Sequence, residues 1–181
     1  MTRESGLLGL YWPARRDSLE ECGRRAYETF RVLRILGYEH YYFVGRSRRD
    51  ALKRPFDVTA QNVLATLAKG VNLADIPRRP IPELGWSMSL WSGDSDDESY
   101  RISMRCGGYS EHVGNSVVLK LPPVGPFSIA ASPDRAMQAY EGLLGIWKPE
   151  QAVLCEGSID WEGGRLIPNR EPLAQHPERS A

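Results

Sequence analysis

The sequence predicts an α+β fold: an antiparallel β-sheet meander with helices packed mainly on one face. Three observations carry that reading. Apolar residues recur at helical spacing from Leu19 to Leu36, whereas three runs between Trp86 and Leu121 alternate apolar and polar residues with a period of two. The two patterns are also segregated along the chain rather than strictly alternating, which favours α+β over a parallel α/β sheet.

Taken in order, "LLGLYW" (Leu7 to Trp12) reads as an opening strand stopped by Pro13. Ser18 and Glu21 have capping-box spacing, and Leu19, Cys22, Ala26, Phe30, Leu33 and Leu36 then mark the buried stripe of a helix that Gly37 closes. The outer face of that helix, with Arg24, Glu28 and Arg31, reads as solvated surface. The aromatic stretch from Tyr38 to Phe43 predicts an irregular packed segment, with His40 packed among the rings. Ser47 caps a short helix ending at Pro55, and Thr59 opens another that faces Val63, Leu64 and Leu67 inward and closes at Gly70. "ADIPRRPIPELG" is an extended connection.

From Leu84 the period changes to two. Trp86, Met88 and Leu90 share one face; Ser87, Ser89 and Trp91 share the other. Tyr100 to Cys106 and Val117 to Leu121 repeat the alternation, so an antiparallel meander is expected. Pro133 starts a helix whose apolar face carries Met137, Tyr140, Leu143, Leu144 and Trp147, and "QAVLCEG" is a last strand. A single domain over residues 1–168 is expected, followed by a polar, flexible tail over 169–181.

Composition bounds the function. Within 181 residues, 41% are apolar and 25% charged, which excludes a disordered chain and a helical membrane protein. The 23 basic side chains balance the 23 acidic ones, unlike a general nucleic-acid binder. The balance is uneven along the chain: arginines crowd the first third, and an acidic loop, "SGDSDDES", comes later. No secretory signal is recognised, and Cys22, Cys106 and Cys155 are widely spaced and odd in number, so buried thiols in a reducing cytoplasm are expected.

Tests for catalytic chemistry return little. Asp94, Asp96, Asp97 and Glu98 are dense enough for calcium, but they lack the ligand ladder that ends in a distant bidentate Glu, so no metal is expected. Ser110 and His112 stand two apart, on one face of an extended segment, without a nucleophile elbow or a signalled orienting acid. No phosphate-binding glycine loop is present, and no cofactor is expected. A small hydrolase using Ser110 and His112, or a metal-dependent nuclease using the Asp94 to Glu98 acids, is the enzymatic alternative. Recognition is the better-supported reading: Trp91 and Tyr109 are aromatic candidates for a contact, although Trp91 equally suits a covered second face of the sheet.

Five blocks, "YWPARRDSLEECGRRAYETFRVL", "GRSRRDALKRPFD", "PIPELGWSMSLWSG", "NSVVLKLP" and "WKPEQAVL", together resemble the immunity protein 52 family in order and spacing, from about Gly9 to Cys155. The resemblance implies a compact α+β antidote of a bacterial polymorphic toxin system. Its expected partner is a toxin encoded by a neighbouring gene, with a restriction-endonuclease-like nuclease domain and delivery by contact-dependent or type VI secretion. It implies binding in the cytoplasm without turnover. Trp91, Asp94, Asp96, Asp97, Glu98, Tyr109 and Glu111 are the expected toxin-binding residues, with acids imitating the phosphates of the toxin's substrate. Overall neutrality sets this chain apart from a strongly acidic antidote.

Overall fold

The protein is described by a computed structural model over residues 4–44, 47–95 and 97–177. Strand β1 (Gly6–Trp12) runs through Pro13 into α1 (Leu19–Leu33). Ser18 caps α1 by accepting the Glu21 N–H at 3.1 Å. The Glu21 carboxylate receives Arg24 and Arg25 instead of turning back to the cap. The helical spacing continues to Leu36, but its last turn tightens to a 3₁₀ turn that Gly37 ends at φ 81°.

The aromatic stretch that followed no clear pattern is ordered as a strand, β2 (Tyr41–Phe43), paired with β3 (Pro55–Phe56). Its rings pack because Tyr38 and Tyr100 stack with centroids 3.8 Å apart, and the Tyr38 hydroxyl donates to the Phe127 carbonyl at 2.8 Å. His40, expected among the rings, is exposed, and its backbone donates to and accepts from the Tyr100 hydroxyl. Between these strands lies α2 (Arg48–Ala51), and α3 (Ala60–Lys69) follows β3. Both open on a side-chain cap, Ser47 on the Asp50 N–H and Thr59 on the Asn62 N–H.

The meander consists of β4 (Trp86–Trp91), β5 (Arg101–Cys106) and β6 (Asn115–Leu121), followed by α4 (Pro133–Trp147) and β7 (Gln151–Glu156). Beyond β7, a hairpin of β8 (Ile159–Glu162) and β9 (Arg165–Pro168) turns on Gly163 and Gly164, both at positive φ as a two-residue turn of the primed type requires. The polar tail, whose residues 178–181 lie outside the described residues, supplies β10 (Ala174–His176), which pairs with β7 from Ala174↔Leu154 to His176↔Ala152. Its backbone covers an edge that would otherwise leave the N–H and C=O groups of β7 unpaired.

The main sheet has eight strands in the order β10-β7-β1-β6-β5-β4-β2-β3. Leu8 and Leu10 of β1, Ile102 and Met104 of β5, and Val117 and Leu119 of β6 point to one face. They share a core with Cys22, Phe30 and Leu33 of α1, Val63 and Leu67 of α3, and Leu143 and Trp147 of α4. The opposite face is covered only in part. There the β8–β9 hairpin packs Leu166 and Ile159 on Leu7, Tyr11, Val153 and Cys155. The outward positions of β4, β5 and β6 lie beyond it. Among the described residues no helix is long and apolar enough to cross a membrane.

Candidate functional site

The acidic loop joins β4 to β5 as a hairpin tip, beyond the Trp91↔Arg101 pair. Its backbone is fixed from within. Buried Ser92 accepts the N–H groups of Asp94 and Tyr100 on its hydroxyl, both at 3.3 Å, and Ser92 N donates to the Tyr100 carbonyl. Glu98 N closes a turn on the Ser95 carbonyl, while the Ser95 hydroxyl donates to the Glu98 carboxylate. Gly93 sits at φ 79°, where an added Cβ would strike Leu52 and the Tyr42 ring. Asp97 and Glu98 are exposed and Asp94 is half-buried; none of the three forms an ion pair with a described residue. Asp96 lies outside the described residues.

A basic element stands beside this tip. Arg48, the first residue of α2, donates from Nε to the Gly93 carbonyl at 2.8 Å. Charges 46 or more positions apart in the sequence are therefore brought to one end of the sheet, and the tip is a mixed patch of carboxylates and guanidinium rather than an acidic one.

Trp91 is half-buried on the face of β4 opposite α1 and α4, in register with Tyr42 and Arg101. Its Nε1 is buried and has no partner among the described residues. Tyr109 and Glu111 are elsewhere. They belong to the β5–β6 connection, and the length of β5, about 20 Å at a strand's rise, separates them from the tip. The described members of the expected toxin-binding set thus fall into two groups at opposite ends of β5. Tyr109 is anchored locally: its N–H donates to the Glu83 carbonyl, and the Arg16 guanidinium lies 3.9 Å from its ring centre.

The connection that holds Tyr109 is built on Asn115, buried to 1% exposure. Its Oδ1 accepts the Gly108 N–H at 2.8 Å, and its Nδ2 donates to the carbonyls of Pro13 and Gly108 at 2.9 Å. Sequence reading missed this residue, since a buried Asn at a strand start looks like any turn-forming Asn. Ser110 and His112 do not lie along an extended strand; they form a turn in which the Ser110 hydroxyl accepts the His112 backbone N–H at 3.2 Å.

The other chemistry-bearing groups are inward and inert. Cys22, Cys106 and Cys155 are free and buried. A hydrogen bond with Cys22, together with burial, pushes the Cys106 thiol well up, and burial raises Cys155, which opposes thiolate formation. Among the described residues no group of three or more His, Cys, Asp or Glu side chains is placed to hold a metal ion.

The tip thus carries carboxylates of Asp94, Asp97 and Glu98 that form no ion pair with a described residue, on a backbone held by the hydrogen bonds of Ser92 and Ser95. No curated protein matches the chain. A family model described as immunity protein 52 matches residues 4–156, from just before β1 to the end of β7. The chain belongs to the immunity protein 52 family, and an immunity role follows for it.

Proposed function

We propose that this protein neutralises a cognate toxin encoded by a neighbouring gene, and that the toxin is a nuclease with a restriction-endonuclease-like domain, bound in the cytoplasm of the cell that makes both. Family membership over residues 4–156 is the observation that carries the reading. The contact includes the β4–β5 tip, with Trp91, Asp94, Asp96, Asp97 and Glu98. In support, the tip backbone is held by its own hydrogen bonds, so little conformational freedom is lost when a partner is bound. A nuclease presents a basic substrate groove, towards which carboxylates steer it. Arg48 beside them makes the contact charge-mixed, consistent with a neutral chain. Tyr109 and Glu111, in the β5–β6 connection, form a second, separate contact. Inhibition works by covering or distorting the toxin's active site, without a chemical step.

Co-expression with the product of the adjacent gene tests this. The expected result is a co-purifying complex and restored growth of cells making the toxin. Absence of both complex and protection with every adjacent toxin overturns the proposal. Measurable turnover by the purified protein, abolished by His112→Ala, would replace it with the hydrolase reading.

A further inference from the structure

The outward face of the meander carries a pattern that the tip does not explain. Strand registers arrange its side chains in three rows that cross the strands. Trp91, Arg101, Lys120 and Leu7 stand side by side in the first row. Ser89, Ser103, Val118 and Gly9 form the second; Ser87, Arg105, Ser116 and Tyr11 form the third. The outer rows are four residues apart, about 13 Å, so long side chains flank a shallow floor of Ser89, Ser103 and Val118. The Tyr11 ring lies over Gly9 and closes the floor at one end, where Trp161 of the hairpin meets it edge-on at 5.1 Å. Beside it, a depression of about 420 Å³ lies between this face and the start of β8, with Arg101 and Lys120 on one side and Ile159 on the other.

The charge on this face is of one sign. Arg101, Arg105 and Lys120 are exposed, and none has an ion-pair partner among the described residues. Arg101 and Lys120 stand directly opposite each other on neighbouring strands. Like charges so placed destabilise a sheet, so the free protein carries an unfavourable pair that an anionic partner would relieve. Half-buried Trp91 and Tyr11, and Trp161 at 52% exposure, add the aromatic anchors that dominate protein contacts. The hairpin bearing Trp161 lies beyond the segment matched by the family.

We infer that this open face is a docking surface for an acidic segment of the toxin, whose carboxylates are received by Arg101, Lys120 and Arg105. The inference rests on the neutralisation proposed above and extends its contact from the tip across the sheet, since Trp91 and Arg101 are the last pair before the tip. A polyphosphate fits less well, because a strand of uniform negative charge crossing this face would run into Asp94, Asp97 and Glu98.

Single charge reversals test the inference. Arg101→Glu and Lys120→Glu each turn the like-charge pair into an opposite-charge pair, so the free variant should melt at the same temperature as the parent or higher. Its affinity for the co-expressed toxin, measured by calorimetry, should nevertheless fall by roughly tenfold or more. Opposed changes in stability and affinity are not expected of residues with a structural role alone. Parental affinity in both variants, with the parent complex intact, overturns the docking face and leaves neutralisation standing. Failure of the parent to bind the toxin overturns both. Loss of binding to single-stranded DNA, or of self-association in solution, with toxin affinity unchanged, assigns the face to those partners and overturns the inference.

Discussion

Arg48 holds the Gly93 carbonyl at 2.8 Å and so ties the basic α2 to the acidic tip of the β4–β5 hairpin. Arg48→Ala removes that bond and one cation from the patch. A stability loss of about 0.5–1.5 kcal/mol is expected from the bond. Amide exchange at Ser92 to Glu98 should speed up in the variant while the core strands stay protected, which hydrogen-exchange mass spectrometry can check.

Combining Asp96→Lys with Asp97→Lys should weaken toxin binding and slow association, most at low salt where steering is strongest. Denaturation of the free protein should barely change, because Asp97 is exposed and without an ion pair among the described residues. Parental affinity and on-rate would reduce the tip to a solubilising loop.

Where α1 meets α4, the indole N–H of fully buried Trp147 donates to the Thr29 hydroxyl at 2.8 Å, and that hydroxyl donates onward to the Arg25 carbonyl. Thr29→Val keeps the shape and strands the indole N–H, at a cost of about 1–3 kcal/mol. Thr29→Ser keeps the bond and should cost less. Denaturant midpoints of the two variants decide the point.

Asn115→Asp should be more damaging than its size suggests. The carboxylate retains an acceptor for the Gly108 N–H, yet faces the carbonyls of Pro13 and Gly108 that the amide now serves. A loss of at least about 2 kcal/mol is expected at neutral pH, read by thermal or denaturant unfolding.

Alkali should unfold the protein through its buried phenols. Burial pushes Tyr11, Tyr100 and Tyr140 from 10.0 up to about 12, and raises Tyr38 and Tyr41 as well. The unfolded chain loses these protons near pH 10.0 while the folded chain keeps them. The stability they contribute is thus complete below that pH and is lost as pH rises through about 12. Denaturant midpoints followed upward from neutral pH should fall across that window. Tyr140→Phe should flatten the fall at little cost, because the Tyr140 hydroxyl is buried without a partner among the described residues.

Some of this was readable from the chain. Ser18, Ser47 and Thr59 each cap the helix that they were expected to cap, since a cap depends on a donor three residues away. The alternation in β4, β5 and β6 disclosed the meander. The β8–β9 hairpin was also legible in principle, because Gly163 and Gly164 between two short runs are a hairpin signal. Strand β2 was not: three residues are too few for a period, and its place depends on Phe56 and Trp91, far off in sequence. Polar β10 has no apolar signature, because it is held by backbone pairing to β7.

By itself, then, the sequence determined the α+β class, the helix starts, the buried face of the meander and the family, since each follows from neighbours within a few residues or from ordered blocks. Only the tertiary structure decided that Arg48 stands beside the acidic tip, that Tyr109 lies a strand's length from it, and that Arg101 faces Lys120 on an open sheet. Those relations depend on strand order and register, which are set by burying one whole face of the sheet against α1, α3 and α4. Local preference has no means of expressing them.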